Sequence, residues 1–117
     1  MIMEQLCRVE LIGIVGNAKV QKVGDSKLLR MSVVTNYAYK TPSSEVVIES
    51  TWHNVSAFEN EHVPDVESYR KGDKVHVIGR ISNQRFMTAS GEERTCAEIR
   101  AQSMERIDGS EVLTCQF

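Results

Sequence analysis

Hydrophobic and polar positions along this chain repeat mainly with a period of two, the signature of strands with one buried face. Arg8–Val15 is rich in β-formers and is punctuated by Gly13 and Gly16, residues that mark a bulge or sharp bend within a strand. Lys19–Val23 continues it past the kink, and Gly24-Asp25-Ser26 signals a turn. Leu28–Thr35 predicts a second strand, polar Asn36–Ser44 with Pro42 a loop, and Val46–Phe58 a third strand. Residues 59–70 carry the one helix signal: Pro64 early, Asp65 and Glu67 in the first turn, Arg70-Lys71 at the end, and Gly72 as the stop. Lys74–Ile81 predicts a fourth strand. Gln84–Thr95 predicts a long hairpin with its tip at Thr88–Gly91, and about Arg94–Met104 predicts a fifth strand.

An all-β chain of five strands, with one short helix between the third and fourth and bend glycines in the first, has the element order of a small Greek-key barrel of the oligonucleotide/oligosaccharide-binding (OB) type. The 117 residues suit one domain, expected over residues 1–107, with a short tail at 108–117.

Within the third strand, the run Thr51-Trp52-His53-Asn54-Val55-Ser56-Ala57-Phe58 carries the most functional information. Alternation puts Val55 and Ala57 on one face with Thr51 and His53, and Trp52, Asn54, Ser56 and Phe58 on the other. Large aromatic rings on a polar strand face are costly to leave in water. A flat ligand stacking there relieves that cost, and a nucleic-acid base gains about 1–3 kcal/mol per stack. The structural alternative is a two-sided strand with Trp52 covered by a loop or a neighbouring subunit.

Bulk properties narrow the picture. Net charge is −2, which speaks against a strongly basic nucleic-acid binder. From Glu105 onward, however, three acids (Glu105, Asp108, Glu111) face one base, Arg106, so the body of the chain is electrically balanced. The odd, widely spread cysteines Cys7, Cys96 and Cys115 do not form a disulfide framework and suggest reduced thiols. The N-terminus lacks the basic and apolar regions of a signal peptide, and no apolar stretch approaches a membrane span. The expected location is cytoplasmic. His53, His62 and His76 lack metal-ligand spacing with one another or with the cysteines. No nucleophile–base order, carboxylate pair or phosphate loop stands out, so neither an enzyme nor a cofactor is expected.

Four blocks together resemble the bacterial single-stranded DNA-binding protein family. Thr51–Phe58 is similar to the family's T-E-W-H-x-V-x-x-F, Val9–Gly16 to its V-x-L-I-G-x-x-G, and Tyr69–Ile81 to its Y-L-x-K-G-x-x-V-x-V-E-G-x-L. Phe86 followed by Ser90–Thr95 resembles its W-x-x-x-x-G-x-x-R-x-T hairpin. The resemblance covers about Cys7–Ile107. It implies base stacking on Trp52 and Phe58 and on Phe86, which stands where the family usually has Trp. It further implies stacking on Tyr39, near another family Trp, with Tyr37 able to share that role. Implied phosphate contacts are Lys71 and Arg85, which match family basic positions, together with Arg70, Arg80 and Lys40 nearby. Asn54 and Glu59-Asn60 stand where the family often has bases. This departure implies a flatter salt dependence, at about 0.7 log units of affinity per log salt for each lost phosphate contact.

By the same resemblance His53 belongs to a subunit contact, the assembly is a homotetramer, and the function is sequence-independent binding and protection of single-stranded DNA in replication, recombination and repair. The last residues keep a final Phe117 and the acids Asp108 and Glu111, but lack the family's flexible linker and acidic run, which puts recruitment of replication or repair proteins in doubt. The competing reading is an accessory OB-fold module, similar to a primosome component, whose main task is protein binding.

Overall fold

The structure, a computed structural model, describes residues 5–107. Phe117, Asp108 and Glu111, with the rest of the expected tail, lie outside the described residues, as does Cys115. Five strands, β1 (Val9–Val23), β2 (Ser26–Lys40), β3 (Val46–Phe58), β4 (Lys74–Met87) and β5 (Glu93–Arg106), form a closed barrel in the order β1-β2-β3-β5-β4. The all-β barrel expected from the strand pattern is therefore the observed fold.

Closure depends on β1 serving two neighbours. Its first half, Val9–Ile14, pairs antiparallel with β4, and its second half, Ile14–Val23, with β2. The ladder shifts between Val15 and Asn17, so Gly16 is the extra residue of a bulge, which bends the strand at the corner. A short parallel contact between β3 and β5, Val55 with Ile99 and Ser56 with Arg100, completes the circle.

The inner face follows the alternation in register. Ala18, Met31 and Val55 line up across β1, β2 and β3, as do Val20, Leu29 and Ala57. Leu29, Val33, Val75 and Val77 are fully buried. Each such side chain contributes roughly 1.5–3 kcal/mol of transfer free energy, which sets the strand faces and so decides what is left outside.

Three segments differ from the sequence expectation. The predicted loop at Asn36–Ser44 is mostly strand: β2 pairs with β3 through Lys40, opposite Val46. The two strands extend as a ribbon beyond the barrel with both faces largely exposed, so the inside–outside alternation fades while the backbone ladder stays satisfied. Its turn is closed by Thr41 and Ser44 (Thr41 N–H to Glu45 O, 2.9 Å; Ser44 N–H to Thr41 O, 2.9 Å). Likewise β4 runs on to Met87, and the predicted hairpin tip recurs with the same geometry at Thr88–Glu92.

The third difference is the helix. Only Val66–Ser68 forms a single 3-10 turn. Asn60 and Val63 exchange backbone hydrogen bonds, and Asp65 takes a left-handed φ of 53°. Pro64 disfavours helical backbone at Val63. Val63, Val66 and Tyr69 are all buried, plugging one end of the barrel. Arg106 of β5 secures this plug. Its guanidinium lies 5.0 Å from the Tyr69 ring centre, pairs with Asp73 Oδ2 at 3.1 Å and donates to the Ser68 carbonyl at 2.8 Å. Burial pushes the Tyr69 hydroxyl pKa above its usual 10, against the opposing pull of Arg106.

Candidate nucleic-acid interface

The outer face of the β1-β2-β3 sheet is built by the same register that builds the core. Ile14, Val34 and Trp52 form one row across the three strands, Asn17, Ser32 and Asn54 the next, and Lys19, Arg30 and Ser56 a third. Trp52 is 60 % exposed and Phe58 47 % exposed, on the same side of β3 and six residues apart, about 20 Å along a strand. The buried partners on the opposite face are Val55 and Ala57. Ser56 departs from the simple alternation: it points outward but is buried, with Arg30 and Arg100 as its cross-strand neighbours.

The β4–β5 hairpin bends over this face and forms the wall of a groove of about 610 Å³. Gln84, Phe86, Cys96 and Glu98 line the wall; Asn17, Lys19, Arg30 and Asn54 line the floor. Asn54 bridges the two, its Nδ2 donating to Cys96 Sγ at 3.2 Å. Phe86 is 47 % exposed and stands in the groove, so the hairpin ring and the β3 face share one concave surface. Arg85 also borders the groove and pairs with Glu93 at 3.6 Å.

Other sequence candidates fall elsewhere. Tyr37 and Tyr39 stand on the β2–β3 ribbon opposite Glu49 and Val47. Uninterrupted alternation puts them on the face of Thr35 and His53, opposite that of Trp52. Their ring centres are 6.0 Å apart, and the Tyr39 hydroxyl donates to Glu49 at 3.4 Å. The structure thus places Trp52 and Phe58 on the outer face of β3 and Phe86 in the groove beside it, with the tyrosines on the other face. Arg70 and Lys71 occupy the turn before β4, where the Arg70 N–H is held by Asp73 Oδ2 at 2.9 Å. Lys40 ends β2 on the ribbon, whereas exposed Arg80 stays near the groove, on the same face of the β4–β5 hairpin as Gln84 and Phe86. His53 is half-buried, its Nε2 2.8 Å from Thr35 Oγ1 of the same protomer.

Lys19 and Arg30 are groove residues that no motif indicated. A period-two count from Ser56 through the β2–β3 register would have found Arg30; Lys19 needs the bulge at Gly16 to be counted. Among the described residues no cluster of three or more His, Cys, Asp or Glu side chains is placed to hold a metal ion, and no helix is long and apolar enough to cross a membrane.

The model of the Single-strand binding protein family matches residues 6–107. The chain belongs to this family. Among its relatives, the single-stranded DNA-binding protein of Rickettsia felis is 31 % identical over 98 residues, covering 80 % of this chain and 64 % of that protein. The single-stranded DNA-binding protein of Neisseria meningitidis serogroup A is 26 % identical over 106 residues, covering 89 % and 61 %. The matched part of the chain thus spans less than two-thirds of these relatives' length. Among solved structures, a Plasmodium falciparum SSB in complex with ssDNA superposes with a TM-score of 0.77 at 23 % identity, covering 92 % of this chain and all of the other. A deletion mutant of the Thermus aquaticus single-stranded DNA binding protein gives 0.71 at 17 % identity, covering 89 % of this chain and 51 % of the other. These structural likenesses establish the shared fold.

Proposed function

We propose that the protein is a non-enzymatic binder of single-stranded DNA, laying unpaired bases against Trp52, Phe58 and Phe86 and protecting the strand in replication, recombination and repair. The observation that carries this reading is the exposed ring of Trp52 on the polar outer face of a strand whose inner face is sealed in the barrel. Phe86 supports it by presenting an exposed ring in the groove that Asn54 of β3 also lines. Family membership and the names of the relatives point to the same ligand. Stacking on rings carries little base preference, because every base has a π-face. Exposed Ile12 and Ile14 on the outside of β1 favour assembly of several barrels, and we propose a homotetramer working in the cytoplasm.

The chain's one tryptophan makes the test direct. Titration with oligo-dT at low salt is expected to quench and shift Trp52 fluorescence; an unchanged spectrum would exclude the reading. The exposed apolar side chains of the ribbon, Val46, Ile48 and Tyr37, favour a second reading as an accessory module that binds protein. Replacing Trp52, Phe58 and Phe86 together by Ala separates the two: oligonucleotide binding collapses under the first, whereas partner binding persists under the second.

A further inference from the structure

The register carries the outer row through Ser56 around the barrel. Lys19 of β1 is directly opposite Arg30 of β2, Arg30 opposite Ser56 of β3, Ser56 beside Arg100 of β5, and Arg100 opposite Arg80 of β4. Four cations therefore lie on one row crossing all five strands, interrupted only by a small buried serine. All four are exposed, and none forms an ion pair among the described residues. Two of the adjacent pairs, Lys19 with Arg30 and Arg80 with Arg100, are like charges directly opposite each other, an arrangement that destabilises a sheet. By contrast Lys27, Arg85, Arg94 and Arg106 each have a carboxylate partner.

The row also lies beside the groove. Lys19 and Arg30 belong to its floor. Arg80 and Arg100 project from the same face of the β4–β5 hairpin as Gln84, Phe86 and Cys96, which form its wall. The one carboxylate lining the groove is Glu98, two residues from Arg100. Neighbouring strands are about 4.8 Å apart, so the row runs across the strands, whereas the aromatic line from Trp52 to Phe58 runs along β3. The two cross at Ser56.

We propose that Lys19, Arg30, Arg100 and Arg80 form a phosphate track, so that the sugar–phosphate backbone of a bound strand runs transverse to β3 while its bases turn onto Trp52, Phe58 and Phe86. The inference rests on the proposed ligand, single-stranded DNA, and adds the site and direction of its backbone. An extended polyanion neutralises the opposed cations without fixed acids, which explains why the sheet tolerates them. Trp52, Phe58 and Phe86 beside the row favour a nucleic acid over an acidic peptide.

The test is the salt dependence of oligo-dT affinity, followed by Trp52 fluorescence, for the wild type and two double variants, Arg30→Gln/Arg100→Gln and Lys19→Gln/Arg80→Gln. Each pair is expected to flatten the slope of log affinity against log salt by about 1.4, at about 0.7 per lost contact. The loss should be the same for oligonucleotides of different base composition. The charge-preserving pair Arg30→Lys/Arg100→Lys should keep the slope. Thermal midpoints of the Gln variants should match or exceed that of the wild type, because like-charge repulsion is removed. Wild-type quenching with unchanged slopes in both double variants overturns the track and leaves the aromatic reading standing. A wild type that does not respond to oligo-dT overturns both. Equal weakening toward an acidic peptide competitor, with no effect on DNA, also overturns the track.

Discussion

The benzo ring of Trp52 occupies the space above Gly16. A methyl carbon at position 16 would overlap Trp52 Cζ3 and stand 2.7 Å from Cη2, with Ser32 Oγ at 3.3 Å. The bulge that turns β1 between its two partners is thus also the platform on which the Trp52 ring rests. The missing side chain at this corner is what lets the exposed ring lie against the bulge.

Gly16→Ala is therefore expected to separate stability from binding. The added methyl meets the far end of an exposed side chain, which can swing away, so the unfolding free energy should change by less than about 1 kcal/mol. The displaced ring should lose much of its stacking, on the order of 1–3 kcal/mol per base. Urea unfolding compared with oligo-dT titration checks both halves.

Gly79→Ala should behave in the opposite way. Its methyl would overlap the Arg100 carbonyl oxygen and stand 2.8 Å from the carbonyl carbon and 2.9 Å from Ala101 Cα, all of them backbone at the bulge where β4 meets β5. Backbone cannot swing aside, so a loss of about 1–3 kcal/mol is expected, read as a lower urea midpoint, with the Trp52 emission of the folded state unchanged.

Leu29→Ala removes a fully buried side chain from the inner face. The expected cost is about 2–5 kcal/mol, a large part of the stability of a domain of this size. Chemical denaturation should show a lower midpoint with an unchanged slope.

Stability should fall in alkali through Tyr69. Its folded pKa lies above the unfolded value of about 10 because burial disfavours the phenolate, with Arg106 partly opposing. A group with a raised folded pKa contributes stability fully below the unfolded pKa and loses it as pH rises through the folded one. Unfolding followed from pH 8 upward should show a decline beginning near pH 10, and Tyr69→Phe should make that decline shallower.

The amino-acid sequence by itself determined the all-β class, the five strands, the bend at Gly16 and the division of Thr51–Phe58 into a buried and an exposed face. These are consequences of local periodicity: a strand that buries one face must alternate, and Val55 and Ala57 announce which face that is. Trp52 and Phe58 were legible because an exposed ring on a polar face contradicts that same logic, whereas Phe86 was legible only through the resemblance of its hairpin to the family's. The extension of β2 to Lys40 was not legible, since a two-sided ribbon outside the barrel has no buried face to impose alternation. Nor was the shortening of the helix to the single turn Val66–Ser68, because Val63, Val66 and Tyr69 plug the barrel from an irregular segment rather than from a helical face.

Only the tertiary structure decided that Tyr37 and Tyr39 lie on the opposite side of the ribbon from Trp52, that Phe86 faces the β3 surface across a groove, and that Lys19, Arg30, Arg100 and Arg80 share a row. The physical reason is that periodicity acts between neighbours in the chain. Which residues stand opposite one another is set by strand register, by a bulge that adds one residue to the count, and by a parallel contact that brings β5 beside β3.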